Sequence, residues 1–246
     1  MISPDAIRMR VREHYAGRAT GQGCCGGSDP TAVCCTPPAV QPLERFEGSS
    51  LGCGSPLEHA QLRPGEIVVD LGSGAGREVL LAARQVSPTG RAVGIDMTPE
   101  MVSKARDNAA RTAIPNAEFR LGEIEHIPLP DAGADAVISN CVINLVPDKT
   151  AAFREAYRIL KPGGRLIVSD IVSNGPLPDA VRNSPEAWSA CVAGALEVAD
   201  YLSAIAAAGF VEAETIGAGE PSRGAVFSVT VKARKAGGDG SANPGV

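Results

Sequence analysis

The sequence predicts an α/β fold: a seven-stranded, mostly parallel sheet with helices on both faces and an antiparallel C-terminal hairpin. Three observations predict it. Apolar runs rich in Val and Ile occur at 66–71, 91–96, 117–121, 134–140 and 164–172. Helical stretches near 76–86, 98–112, 149–160 and 186–208 alternate with them, which makes βαβ units and a parallel sheet covered on both faces. Two last runs, 211–216 and 225–233, follow one another at hairpin spacing.

In chain order, residues 5–15 read as a short amphipathic helix, because Ile7, Val11 and Tyr15 recur at intervals of four. From Ala16 to Pro64 the chain is dominated by Gly, Pro, Ser and Cys and no period survives. A connection that long is either a functional lid or disordered. Regular patterning begins at Gly65. Lys161-Pro162-Gly163-Gly164 ends a helix and turns the chain into the fifth strand. Residues 234–246 have the composition of a disordered tail. The chain therefore divides into 1–64, 65–175, 176–233 and 234–246, with no internal repeat.

A chain of 246 residues with 44% hydrophobic and 21% charged side chains can bury a substantial core. It contains no apolar run long enough to span a membrane. Its first residues, MISPDAIRMRVREHY, lack an apolar signal core, which predicts a cytoplasmic protein. A net charge of −5 and an aromatic content of 4% argue against nucleic acid as a partner. The seven cysteines are odd in number and unevenly placed: Cys24, Cys25, Cys34, Cys35 and Cys53 near the start, Cys141 and Cys191 far downstream. In a reducing compartment that pattern suits redox or soft-metal chemistry better than structural disulfides.

The strand EIVVD ends at Asp70 and runs into Leu71, Gly72, Ser73, Gly74, Ala75 and Gly76 before a helix. A glycine turn at the carboxyl end of a first strand lets a ligand approach the backbone. In the dinucleotide pattern G-x-G-x-x-G the third glycine would fall at residue 77, which is Arg77. The pattern here is D-x-G-x-G-x-G instead. The second strand, RAVGID, ends in Asp96, placed to accept both hydroxyls of a ribose. A loop opened by one carboxylate and faced by another suits a cofactor with a ribose, a cationic group and no pyrophosphate, and S-adenosylmethionine is such a molecule.

Residues 66–172 resemble the class I S-adenosylmethionine-dependent methyltransferases, which have a Rossmann-like fold. VVDLGSGAG is similar to their cofactor loop, GIDMTPEMVSKAR to their ribose strand and its helix, and RILKPGGRLIVSD to the turn into their fifth strand. The resemblance implies that Asp70, Gly72, Ser73, Gly74, Gly76, Asp96 and Met97 bind the cofactor. It places Gly122, Glu123 and Ile124 at the adenine edge and Asn140 under the methionine portion. Many members carry aspartate where this chain has Glu123. Glu123, Glu125 and His126 also invite a general-base or metal-cluster reading, against which a solvated or adenine-lining role is preferred.

The acceptor is a separate question, because a fold does not name a substrate. No Ser-His-Asp-like set stands out, and only His14, His59 and His126 exist. The thiols carry the uncommon chemistry. Cys53 sits between glycines in LGCGSP, Cys141 follows the fourth strand in ISNCVINL, and Cys191 lies in AWSACVAGAL, on the helix after the fifth strand. Taken singly, each is compatible with a small packing residue. Three sulfurs converging on one point would instead favour a soft centre. From Val11 to about Phe210 the chain resembles prokaryotic arsenite methyltransferases, through VREHY, GCGSP, DMTPEM, FRLGEIEHIPLP, SNCVINLVPDK and ACVAGAL.

That resemblance implies arsenic held as a substrate by the thiolates of Cys53, Cys141 and Cys191, with S-adenosylmethionine as methyl donor. It makes 1–64 a substrate-capture segment, 65–175 the cofactor-binding core, and 176–233 the part that completes arsenic site and sheet. Arsenite or methylarsenite would be the substrate, in detoxification. A thiol reductant, thioredoxin or glutathione, would return the arsenic to its trivalent state after each transfer. Cys24 and Cys25 resemble a vicinal pair of the family, whereas Cys34 and Cys35 depart from it. Delivery or redox exchange is the role expected of both doublets. Two other readings stay open at this stage: methylation of a small organic acceptor such as a quinone, and non-catalytic metalloid binding.

Overall fold

The computed structural model describes residues 2–20, 54–218 and 226–237. Seven strands make one sheet: β1 (Ile67–Leu71), β2 (Arg91–Asp96), β3 (Ala117–Leu121), β4 (Ala134–Asn140), β5 (Leu160–Ser173), β6 (Val211–Ala218) and β7 (Val226–Arg234). Their order across it is β3-β2-β1-β4-β5-β7-β6. The first five pair in parallel, and β7 enters antiparallel between β5 and β6. The mixed sheet and its C-terminal antiparallel pair agree with the sequence expectation.

Alternating side chains of each central strand bury on opposite faces, as a doubly covered sheet requires. Val68, Ala136, Ile138 and Ile167 join one core, against α3 (Arg77–Val86) and α4 (Pro99–Thr112). Val69, Leu71, Val137 and Val168 join the other, with Phe153 of α5 (Lys149–Ile159) and Tyr201 of α8 (Val198–Ala207). Each fully buried aliphatic side chain contributes roughly 1.5–3 kcal/mol. Short helices α2 (Pro56–His59), α6 (Asp179–Arg182) and α7 (Pro185–Ser189) and a 3-10 turn at Ile143–Leu145 connect these elements. Among the described residues, no helix is long and apolar enough to cross a membrane.

Four local expectations differ from the structure. The first helix, α1, runs Pro4–Thr20 and is longer than the periodic stretch, because Ile7 and Val11 gain a packing surface. The helix expected over 186–208 is broken. Residues 190–197 leave α7 as turns and re-enter at α8, and Cys191 sits in the break at φ +62°. The Lys161–Gly164 turn lies inside β5 as a bulge, since Leu160 pairs Ala134 while Arg165 already pairs Ala136. Strand β7 extends through Arg234. Lys235 is then anchored, its backbone N–H donating to Gly164 O at 2.9 Å and its Nζ to the carbonyls of Tyr157 and Leu160.

The strand order reverses between β1 and β4, and such a switch point opens a crevice at the carboxyl ends of the strands. The glycine loop after β1 and the Asn140-Cys141 pair after β4 are the two lips of that crevice.

Candidate functional site

The glycine loop owes its shape to three left-handed residues. Gly72, Gly74 and Gly76 have φ of +71°, +51° and +87°. A Cβ on Gly72 would overlap Val142, and one on Gly76 would meet the Phe119 ring. On Gly74 it would meet nothing within 4 Å, so Gly74 faces open space. Two glycines therefore serve packing, and the middle one leaves room for a ligand.

Carboxylates gather around this loop. Asp96 accepts the Gly74 and Thr98 backbone N–H groups, each at 2.9 Å, on its two oxygens. Asp70 is buried at the end of β1. Glu78 enters from the first turn of α3 and accepts Asn140 Nδ2 at 3.1 Å. Burial raises the pKa of all three, and Glu78 and Asp96 raise Asp70 further through repulsion. Ser73 Oγ and Glu78 Oε2 are buried without a hydrogen-bond partner among the described residues. Mutually repelling carboxylates and two orphaned oxygens fit a group that brings a positive charge and hydroxyl donors. The residues present fit S-adenosylmethionine.

The third loop lies beside the ribose strand, with Gly122 N–H donating to Asp96 O at 2.9 Å. Ile124 is buried in the main core. Glu123 pairs with Arg12 at 3.5 Å and Arg8 at 3.8 Å, while Glu125 pairs with Arg8 at 2.9 Å. Glu125 does not have the solvated role preferred from sequence: its side chain is only 3% exposed, buried against Arg8. The Glu125 hydrogen bond is the main cause holding the Arg8 pKa up. These acids tie α1 to the third loop, and among the described residues no group of three ligating side chains forms a metal site.

Cys141 and Cys191 come together. Cys191 Sγ donates to the Cys141 carbonyl at 3.1 Å, and both residues are buried. Both hold left-handed backbone, at φ +58° and +62°. That conformation costs a non-glycine residue about 1–2 kcal/mol and concentrates where function requires it. Cys141 is in a disulfide, whereas Cys191 is a free thiol. Cys53 and the doublets Cys24-Cys25 and Cys34-Cys35 lie outside the described residues. Gly54, which follows Cys53 in sequence, is described. A Cβ there would crowd Ser169 of β5, and Cys141 N–H donates to the Ser169 carbonyl at 2.8 Å.

A roof covers the pair. Ile7 and Val11 of α1 pack with Cys141, Leu145 and Cys191, and Tyr15, Met97 and Trp188 close the cluster. Met97 thus joins the ribose strand to the thiols. The Tyr15 hydroxyl lies against the Cys191 sulfur. Burial is the main cause pushing the Cys191 thiol up to about 12, with Asp170 adding to it, so the group is protonated at neutral pH. Behind it, buried Asp170 accepts Tyr201 Oη at 3.2 Å and Asn144 N at 3.1 Å. Burial raises Asp170 and lowers Lys149, whose Nζ donates to Val146 O at 3.2 Å.

Several contributors have no signature in the sequence. Glu78 reads as an ordinary acid at a helix start, Tyr15 as a third hydrophobic face position, and Asn144 as an unexplained polar residue in an apolar run. Only their partners across the fold reveal them. Asn140 donates Nδ2 to Gly54 O at 2.7 Å and accepts Gly54 N–H at 3.3 Å, so its amide is engaged by the chain itself.

A methyltransferase domain family matches residues 62–209. An arsenite methyltransferase of Halobacterium salinarum is 45% identical over 230 residues, covering 86% of this chain and 59% of that protein. One of Aquipseudomonas alcaligenes is 38% identical over 187 residues, covering 70% and 54%. The chain thus spans less than two thirds of the length of those relatives. Among solved structures, CrArsM, an arsenic(III) S-adenosylmethionine methyltransferase from Chlamydomonas reinhardtii, superposes with a TM-score of 0.63. It is 33% identical, over 84% of this chain and 76% of that one. By the family match over residues 62–209 and its likeness in sequence and fold to these enzymes, the chain belongs to the arsenite methyltransferases of the class I S-adenosylmethionine-dependent family.

Proposed function

We propose that this chain methylates trivalent arsenic, presented as a thiol complex, with S-adenosylmethionine as donor and in the service of arsenic detoxification. The observation that carries the proposal is the junction of Cys141 and Cys191. Two cysteines held in left-handed backbone meet at the crevice opposite a carboxylate-lined glycine loop. Cys53, one residue before the anchored Gly54, supplies the third sulfur. Residues 1–64 capture substrate, 65–175 hold the cofactor, and 176–233 complete the arsenic site.

Asp70, Glu78 and Asp96 hold the cofactor's cationic and ribose parts beside Gly74, with Ser73 as a further donor or acceptor. Gly72, Gly76, Met97, Gly122, Glu123 and Ile124 shape the pocket around them. S-adenosylmethionine supplies an electrophilic methyl group when bound. The thiols take arsenic from that complex by exchange: three protein As–S bonds replace three to the carrier thiols, each S–H proton leaves on a carrier sulfur as free thiol, and no net charge is buried. A Cys191 thiol protonated at neutral pH suits that exchange, because its proton is used rather than lost. The roof of Ile7, Val11 and Tyr15 keeps water from the bound arsenic. The protein's part is alignment of donor and acceptor.

Cys141 must be reduced before it binds, so a dithiol reductant such as thioredoxin, or glutathione, is needed to open the site. Cys24, Cys25, Cys34 and Cys35 serve delivery or thiol exchange. The test is Cys141→Ser: cofactor affinity stays within about threefold of wild type while arsenite methylation falls by at least about 10³. Speciation of the arsenic product by chromatography reads the outcome. A variant that methylates arsenite at the wild-type rate overturns the proposal.

A further inference from the structure

Between α1 and α7 lies a cavity of about 360 Å³, lined by Arg10, Glu13 and His14 of the first helix and Glu186 and Ser189 of the second. That volume is within the range of small-molecule sites. Its position follows from the helix period. Ile7 and Val11 form the row of α1 that roofs Cys141 and Cys191. Arg10 and His14, each three residues further on, form the neighbouring row of the same helix. Tyr15, next after His14, meets the Cys191 sulfur, and Ser189 lies two residues before Cys191. One face of α1 therefore covers the thiol while the adjoining face lines the cavity.

The lining is mixed in charge. Arg10 and Glu13 are loosely paired at 3.8 Å, with side chains 55% and 62% exposed, so both can take an outside partner. The Glu186 carboxyl is held below its usual range by its own backbone N–H, by Ser184 and, across the cavity, by Arg10. It is ionised at neutral pH. Burial, with Arg18 and Arg10 adding to it, lowers the His14 pKa, so its ring is neutral there and offers both a donor and an acceptor. A plain anion entering the cavity would meet Glu13 and Glu186, and a plain cation would meet Arg10. A group with both charges side by side satisfies both walls.

We propose that this cavity seats the charged end of the thiol that carries arsenic in: a thiol whose end group bears an ammonium and a carboxylate on one carbon, as a γ-glutamyl peptide does. This rests on the arsenite methyltransferase reading above and names the carrier of its substrate. Arg10 receives the carboxylate and Glu186 the ammonium, as charge-assisted pairs. The carrier's sulfur, with its arsenic, then lies toward the apolar roof beside Cys191. Exchange there breaks one As–S bond to the carrier and forms one to Cys191. The Cys191 proton leaves on the carrier sulfur as a free thiol, and no oxidation state changes. A charged end group drawn under Ile7 and Val11 would lose its hydration without a partner. A polar seat beside the roof removes that cost and lets a charged carrier deliver to a buried thiol.

The test compares carriers of different charge with the reduced full chain. KM and kcat are measured for arsenite presented with glutathione, with 3-mercaptopropionate (a carboxylate alone) and with 2-mercaptoethanol (no charge), in wild type, Arg10→Gln and Glu186→Gln. S-methylglutathione, which keeps the charged ends and has no thiol, is titrated alongside as a binding probe. Wild type should bind this probe and show its lowest KM with glutathione. Either variant should raise that KM, and weaken the probe, about tenfold through the loss of one charged hydrogen bond. Its KM with 2-mercaptoethanol and its kcat should match wild type. An equal rise in KM with every carrier would mark a structural role for the helix pair and overturn the proposal. So would a wild type that prefers 3-mercaptopropionate, shows no preference, or fails to bind the probe. A wild type that binds the probe through Arg10 and Glu186 yet methylates arsenic from none of the carriers would overturn the parent reading instead.

Discussion

The left-handed backbone of Cys141 and Cys191 is a local conformational cost that each of these buried residues carries. Glycine adopts this conformation freely, and alanine does not. Replacing Cys191 by Gly should therefore give a protein more stable than its Ala counterpart by about 1 kcal/mol, with the thiol absent from both. Urea denaturation of the two variants measures that difference, and an equal or reversed order would contradict the backbone assignment. At this scale the sequence was partly legible. Thiol chemistry and the D-x-G-x-G-x-G loop follow from residue type and spacing. Left-handed angles, the Gly54 anchor and the orphaned Glu78 oxygen do not, because each depends on a neighbour brought from elsewhere in the chain.

Among the elements, α1 is the one whose placement sequence could not supply. Its amphipathic period is visible, but its docking rests on Arg8 and Arg12 meeting Glu123 and Glu125, more than a hundred residues away. Removing Arg8 takes the ion-pair partner from the buried Glu125 side chain, so Arg8→Met should destabilise the chain by about 3 kcal/mol. Arg8→Met combined with Glu125→Leu should recover most of that loss, and thermal melts of wild type, both single variants and the double variant check the cycle. The broken 190–197 region was illegible for a related reason. Its small apolar residues are compatible with helix, and the contacts of Asn144 with Cys191 and Gly194 override that propensity. Strands, by contrast, were legible to within a few residues, because burial on both faces writes long Val and Ile runs into the chain.

For the whole molecule, the buried acids set a pH response. Asp70, Glu78, Asp96 and Asp170 are all raised above the ordinary carboxylate range by burial. In the window between the unfolded value, about 4, and the raised folded values, the folded chain binds more protons than the unfolded chain. Stability of the cofactor-free protein should therefore fall as pH rises through that window. A melt at about pH 5.5 should exceed one at about pH 7.5, and S-adenosylmethionine should narrow the gap by supplying a positive charge. Cofactor affinity should rise over the same interval, since the protonated cluster competes with the cation. A melting temperature that climbs with pH in the cofactor-free chain would reverse the sign assigned to these groups.

The conformation of the two cysteines has a consequence for descent. A cysteine codon becomes a glycine codon by one base change, and at φ near +60° the replacement relieves strain. A lineage released from arsenic would lose these thiols to glycine without unfolding, and glycines at 141 or 191 would mark relatives that have kept the scaffold and abandoned the substrate.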